Sequence, residues 1–343
     1  MEALQIGGVS VDAGRTGQAN IVVARMPRGD DLAITIHIVN GTKAGPTLGL
    51  ACTSHGDEAY AILVIREVLK RIDPKTLSGR VLAIPVLNPI AFESGTRLTG
   101  VSLITNEDNL NTVFPGDPKG SLTARMAHAI KQEFADRLDC LLDFHCGGVD
   151  TDIDYSLAKE CDGDLGAAVS GAVRAYGSRI VQYYKTMAIN MSPATTLADV
   201  VLARGKPAFA PMCGGGPTHL LKPAVLDQSV SSVLNVMRHL GMIGGKVMPY
   251  REQLVIKTKL VYRHQHGGYF IPALGIEATT TTVPRGTLLG QVICPYTFEV
   301  LEELKAPFSP TVLIMVRECL SRVSPGDYAY IVGDGATAET RRA

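Results

Sequence analysis

No tryptophan occurs among the 343 residues, and aromatic side chains amount to only 6%. A surplus of one charge is missing too: Lys plus Arg and Asp plus Glu number 33 each, leaving a net charge of zero. Nucleic-acid binding by phosphate neutralisation and base stacking needs both rings and basic residues, so no nucleic-acid partner is expected. Apolar runs stay short of the roughly 20 residues that span a bilayer, so no membrane association is expected either. The opening "MEALQIGGVSVDAG" lacks the basic and then apolar layout of a secretory signal. Seven cysteines are scattered without a CxxC pair. An odd, unpatterned set fits reduced thiols better than a disulfide framework, which points to the cytoplasm.

What remains is a globular composition, 46% hydrophobic and 19% charged, long enough for one large domain with or without a smaller one. Up to about residue 245, apolar β-branched runs alternate with helical patterns, the mark of an α/β sheet. "DLAITIHIVN" alternates with period two, as a half-exposed strand does, whereas "PTLGLACTS" and "RVLAIPVLN" read as strands buried on both faces. Ile62, Ile65, Leu69 and Ile72 form a helical stripe ahead of Pro74, and Met126, Ile130, Phe134 and Leu138 form another leading into "DCLLDFH". A last helix begins near Pro223 and meets Gly241. Beyond residue 246 short strands follow one another between Gly and Pro turns, with no helical pattern. The expected fold is therefore α/β, a mixed or mostly parallel sheet with helices on both faces over residues 1–245. A smaller all-β domain is expected over 246–335, with a frayed tail at 336–343.

One stretch carries chemistry. In "TSHGDEAYAIL", His55 precedes Glu58 by three residues where an apolar run gives way to a helical pattern. That is the carboxyl end of a strand, where open α/β sheets form their ligand crevices. One helical turn would bring both side chains to the same side. A hydrolytic zinc site needs three protein ligands and an open position. His145, at the end of the buried run "LLDFHCGG", can supply the third, with Asp143 on the same strand face close enough to support it. By itself the pair fits a polar helix start as well, since Glu favours a helix N-terminus.

The ordered set "SHGDE", "NPIAFESGTR", "NLNTVFPGDP", "LLDFHCGG" and "GKPAFAPMCGGG" resembles the succinylglutamate desuccinylase and aspartoacylase family, of the zinc-carboxypeptidase-like fold. The resemblance runs through about the first 245 residues, and the β-rich remainder is similar to the second domain that narrows the entrance to that family's active site. It implies one zinc ion per chain held by His55, Glu58 and His145. It also implies amide hydrolysis in a small molecule, with zinc-bound water attacking a carbonyl polarised by zinc and Arg97. An always-charged guanidinium aimed at developing negative charge suits that role; without the family context Arg97 reads as a surface ion pair. A homo-oligomer is also implied.

Two departures stand out. Where the family has an Asn-Arg pair, Asn111 is followed by Thr112, whose hydroxyl cannot replace a bidentate clamp on a substrate carboxylate. Where the family has its proton-shuttling Glu, two positions ahead of the glycine cluster, this chain has Met212. Losing a general base costs on the order of 100- to 10,000-fold. His219 and Glu277 are the candidates to replace it, against the plainer readings of a helix-start histidine and a solvated loop carboxylate. A zinc-dependent elimination on the same scaffold, or a metal-binding relative without catalysis, are the alternatives. Tyr269 is a candidate pocket residue, together with His264 and His266 in "YRHQHGGYF". Cys146 points away from His145 by strand alternation, and Cys213 beside Met212 suggests a less polar lining.

Overall fold

A computed structural model describes residues 1–100, 108–185, 195–216, 221–248 and 252–342 in full, and 188–189 and 192–193 by backbone alone. The strand expected from "DLAITIHIVN" is β2 (Asp31–Asn40), antiparallel to β1 (Arg15–Arg25) and carrying Leu32, Ile34, Ile36 and Ile38 inward at every second position. The continuous runs form β3 (Lys43–Cys52) and β4 (Ser78–Ile84), and the run ahead of His145 forms β5 (Cys140–Phe144), buried along its whole length.

Between these strands lie α1 (Ala61–Arg71), α2 (Pro89–Ser94) and α3 (Leu122–Glu133). The buried face of α1 is Ala61, Val64, Ile65 and Val68, with Ile62 and Leu69 half-buried at its sides; the expected stripe is thus rotated slightly, and Ile72 falls just past the helix. Likewise α3 buries Met126 and Ile130 but ends before Phe134, and Phe134 and Leu138 reach the core from the turn that follows.

The chain continues through β6 (Thr151–Lys159), α4 (Gly163–Tyr176), β7 (Ile180–Tyr184), α5 (Leu197–Leu202), β8 (Ala208–Gly215) and α6 (Pro223–His239). Proline opens α6, and Gly241, in the left-handed region at φ +70°, follows its end as the sequence indicates. Strands β8, β5, β3 and β4 are mutually parallel and form the centre of the sheet, with β6 antiparallel on the far side of β8. Strands β3 and β5 therefore deliver their carboxyl ends, and whatever follows them, to one edge.

After α6 come β9 (Glu252–Ile256), β10 (Lys259–Arg263), β11 (Gly268–Pro272), β12 (Leu288–Ile293), β13 (Val300–Lys305), β14 (Thr311–Arg317), β15 (Ser321–Val323), β16 (Tyr328–Asp334) and β17 (Glu339–Arg342). Four of them build a separate sheet in the order β13-β12-β11-β15, over a core that includes Phe270, Leu289, Val292 and Tyr330. Others join the central sheet: β14 runs antiparallel to β6 with Met315 opposite Ile153, and β9 runs parallel to β7. The two portions expected on either side of residue 246 thus share a sheet. The tail differs from the expected frayed end. Residues Glu339–Arg342 pair antiparallel with Glu252–Val255, because β9 offers an unpaired edge there. No helix among the described residues is long and apolar enough to cross a membrane.

Candidate metal centre

Strand β3 ends in a sharp turn. Thr53 takes a left-handed φ of +64°, buried and held by its hydroxyl donating to the Pro85 carbonyl at 3.0 Å. His55 to Glu58 then form a tight turn closed by Glu58 N–H donating to His55 O at 3.1 Å, and α1 begins only at Ala61. The three-residue spacing works through this turn rather than through the helical turn expected. Gly56 is packed so closely that a Cβ would lie 2.1 Å from the Ala91 carbonyl carbon and 2.4 Å from Thr96 O, so no larger residue fits. Its N–H donates to Arg97 O at 3.3 Å, tying the ligand turn to the arginine loop.

That loop is shaped by the "NPIAFESGTR" stretch. Asn88 caps α2 by accepting from Ala91 N–H at 3.2 Å, Pro89 opens the helix, and Gly95 at φ +63° ends it. The chain turns back and brings Arg97 over the site.

His55, Glu58 and His145 come from distant parts of the chain and meet in the interior, with ligand atoms all within 4.8 Å of one another. The imidazole centroids are 5.3 Å apart. Both Nδ1 atoms face the same carboxylate, His55 Nδ1 at 2.9 Å from Glu58 Oε1 and His145 Nδ1 at 2.7 Å from Oε2. Arg97 donates to Glu58 Oε1 at 2.5 Å and lies 3.7 Å from Asp57 Oδ1. On the outer side, His55 Nε2 is 3.2 Å from Asn109 Oδ1 and His145 Nε2 is 3.9 Å from Asp143 Oδ2.

Burial alone would favour neutral groups here, but charge reverses it. Burial opposes ionisation of Glu58, yet His55, His145 and Arg97 outweigh that and hold its carboxyl well below the usual range. Burial also opposes charging of His145, while the Glu58 carboxylate and hydrogen bonding to the Asp143 carboxylate push it up to about 10. The donor set fits a divalent cation. Two imidazoles and one carboxylate converge within coordination reach, and the site favours positive charge at its centre.

A cavity of about 230 Å³ opens from this trio, and Arg97, Asn111 and Met212 are among the residues that line it. Met212 stands on β8 directly beside His145, Asn111 Oδ1 is buried without a partner among the described residues, and Asp143 also faces the cavity. Other expected residues lie elsewhere. Thr112 turns its hydroxyl to Asn109 O at 2.9 Å and is not in the lining. Tyr269 is 38% exposed on β11 and Glu277 is exposed on the short turn Ile276–Ala278; neither lines the cavity. His264 is buried 3.7 Å from Glu302, and His266 is exposed; neither lines the cavity. His219 lies outside the described residues. Cys146 and Cys213 are buried free thiols outside the lining.

Two tyrosines in the lining carried no sequence signal. Tyr184 ends β7, and Tyr328 comes from β16 of the C-terminal strands, with the Arg263 guanidinium 4.0 Å over its ring. In "DYAYIV" Tyr328 has the same strand parity as Tyr330, which is core, and only a register shift in the pairing with β10 separates the pocket tyrosine from the packing one.

A parallel-centred sheet with a His-Glu-His cluster at its carboxyl edge makes this an α/β protein with a candidate metal centre. The chain belongs to the succinylglutamate desuccinylase/aspartoacylase family, whose catalytic-domain model matches residues 44–240. It is 30% identical over 206 residues to the N-alpha-acetyl-L-2,4-diaminobutyric acid deacetylase of Halomonas elongata. That match spans 59% of this chain and 57% of the relative, so it covers little more than half of the relative's length. The fold is shared with a succinylglutamate desuccinylase from Silicibacter, at 22% identity and TM-score 0.79 over 95% of each chain. It is shared also with the product-bound ectoine utilization protein of Ruegeria pomeroyi, at 21% identity and TM-score 0.79 over 94% of this chain and 97% of that one.

Proposed function

We propose that the protein is a metal-dependent deacylase that hydrolyses an amide bond in a small N-acyl molecule. One observation carries the reading: His55, Glu58 and His145 converge in the wall of a cavity, with Arg97 on the same carboxylate. The family and the deacetylase relative supply the reaction class.

His55, Glu58 and His145 would hold a zinc ion, which when bound supplies Lewis acidity toward a carbonyl and toward water. The chain's own groups do the rest. Arg97 reaches the cavity with a half-exposed guanidinium and can donate to a carbonyl oxygen as negative charge develops there. Asn111 offers a buried acceptor oxygen to the substrate amide N–H. Leu157, Phe209 and Met212 give the cavity an apolar wall that suits an uncharged acyl group. Arg97 is the one guanidinium or ammonium among the described residues that line this cavity, and it is already engaged by Glu58 and Asp57. With Thr112 turned away, the substrate needs no free carboxylate at the position the family clamps.

Met212 carries no proton to transfer. Of the two candidate replacements Glu277 stands outside the cavity, so His219 is the proposed proton carrier. The absent carboxylate at Met212 also favours a second reading, elimination on the same scaffold. Zinc-loaded protein turned over in oxygen-labelled water separates the two. Label in the acid product supports hydrolysis; an unsaturated product without label overturns it in favour of elimination.

A further inference from the structure

The central sheet has a second cavity on its reverse face. Along β6 the side chains alternate: Leu157 lines the metal cavity, whereas Asp154 lines a separate cleft of about 290 Å³. That cleft lies between the sheet, the end of α4 and the first turns of α6, and Ser178, Arg179, Gln228 and Ser229 are among its polar lining residues. Its size is at the small end of ligand cavities, which run about 300–1,000 Å³.

The polar groups of this cleft are only partly spoken for. Ser178 Oγ is 2.8 Å from Ser156 Oγ, and Gln228 donates to Ser232 Oγ at 3.3 Å. Asp154 accepts no hydrogen bond from any described residue. The nearby cation, Lys222, is paired with Asp152 at 3.2 Å. Arg179, exposed at the rim, makes no side-chain hydrogen bond or ion pair with the described residues. A half-buried carboxylate in a hydroxyl-lined cleft and a guanidinium at its mouth are complementary to a ligand with one charge of each sign. A metal ion is poorly matched, since no cluster of three His, Cys, Asp or Glu ligands forms there among the described residues. A simple anion would meet Asp154, and a simple cation would leave Arg179 unanswered.

We propose that this cleft is a second binding site, distinct from the metal cavity, for a small zwitterion of amino-acid type, its ammonium on Asp154 and its carboxylate on Arg179. Burial and the Asp152 carboxylate raise Asp154 to about 7, so an ammonium partner would relieve an unfavourable charge.

Calorimetric titration of the full, zinc-loaded chain tests this with L-alanine and L-threonine as zwitterions, and ethylamine and propionate as single-charge controls. The zwitterions should bind, and each control should bind at least about tenfold more weakly. Asp154→Asn and Arg179→Gln should each weaken zwitterion binding by about 10- to 100-fold, the value of one charged hydrogen-bonded contact. His55→Ala should leave it unchanged. Arg179 is exposed, so its variant tests the anionic half of the site without disturbing the sheet. No heat with either zwitterion up to about 10 mM, a Kd weaker than about 3 kcal/mol of binding, overturns the proposal. So does affinity that survives Arg179→Gln, or affinity that vanishes with His55→Ala.

Discussion

Met212 and His145 are bridge partners on neighbouring strands, fixed by Cys213 N–H donating to His145 O at 2.9 Å and His145 N–H donating to Pro211 O at 3.0 Å. A side chain at position 212 is therefore held beside a metal-ligand candidate by backbone alone, whatever its chemistry. Met212→Glu should place a carboxylate at the cavity wall without moving the trio. Hydrolysis of simple N-acyl amines should rise by about 100-fold or more if the missing base limits turnover. Steady-state kcat on an N-acyl panel, with metal content measured alongside, checks this; unchanged kcat at full metal occupancy refutes it.

Zinc should stabilise the wild-type chain, since a ligand bound only by the folded state adds about 2.7 kcal/mol at 100 times its Kd. His55→Ala, Glu58→Ala and His145→Ala should each abolish that stabilisation. Thermal melts with zinc and with chelator, together with elemental analysis of the purified protein, provide the readout. A zinc-dependent rise in Tm that persists in His145→Ala would remove that residue from the ligand set.

Arg97 is half-exposed, yet its guanidinium is the charged donor nearest the trio. Arg97→Lys should lower kcat by about 100- to 1,000-fold, because a point charge cannot reproduce the planar fork. KM should change much less. A loss confined to KM would make Arg97 a binding group only.

Asp154 sets a pH dependence of stability. Its folded value of about 7 lies above the ordinary 3.8, from burial first and the Asp152 carboxylate second, against the opposing pull of Lys222. Between those values the folded state binds more protons than the unfolded one, so this carboxyl makes stability fall as pH rises through that window. Asp154→Asn removes the effect. The variant should be more stable than wild type by roughly 1–3 kcal/mol at pH 8, with the gap closing below about pH 4. Denaturant titrations at both pH values measure it.

Much of this site is legible in the linear chain because its pieces sit at strand ends. The apolar runs before His55 and His145 mark β3 and β5, and parallel pairing of those strands does the assembly. Arg97 follows from a capped helix bounded by Asn88, Pro89 and Gly95. The turn that carries His55 and Glu58 is harder to see, since a helical pattern begins three residues later and hides Thr53's left-handed backbone. Tyr328 is invisible for another reason: period two would put it on the face of core Tyr330, and the register shift that parts them has no mark in the sequence. The placement of Thr112 and Glu277 away from the cavity depends on how a loop folds against its own backbone, which residue type does not encode.

Pairing between β14 and β6 joins residues some 160 positions apart, Met315 opposite Ile153. Strand β6 also borders β8, so the wall bearing Met212 is braced by a strand from the C-terminal portion. The outer edge of β6 is shared: β7 pairs with residues 156–159, and β14 covers only residues 151–153. Truncation near residue 245 should therefore expose the 151–153 end of β6 beside the cavity wall and lower the solubility of the shortened chain.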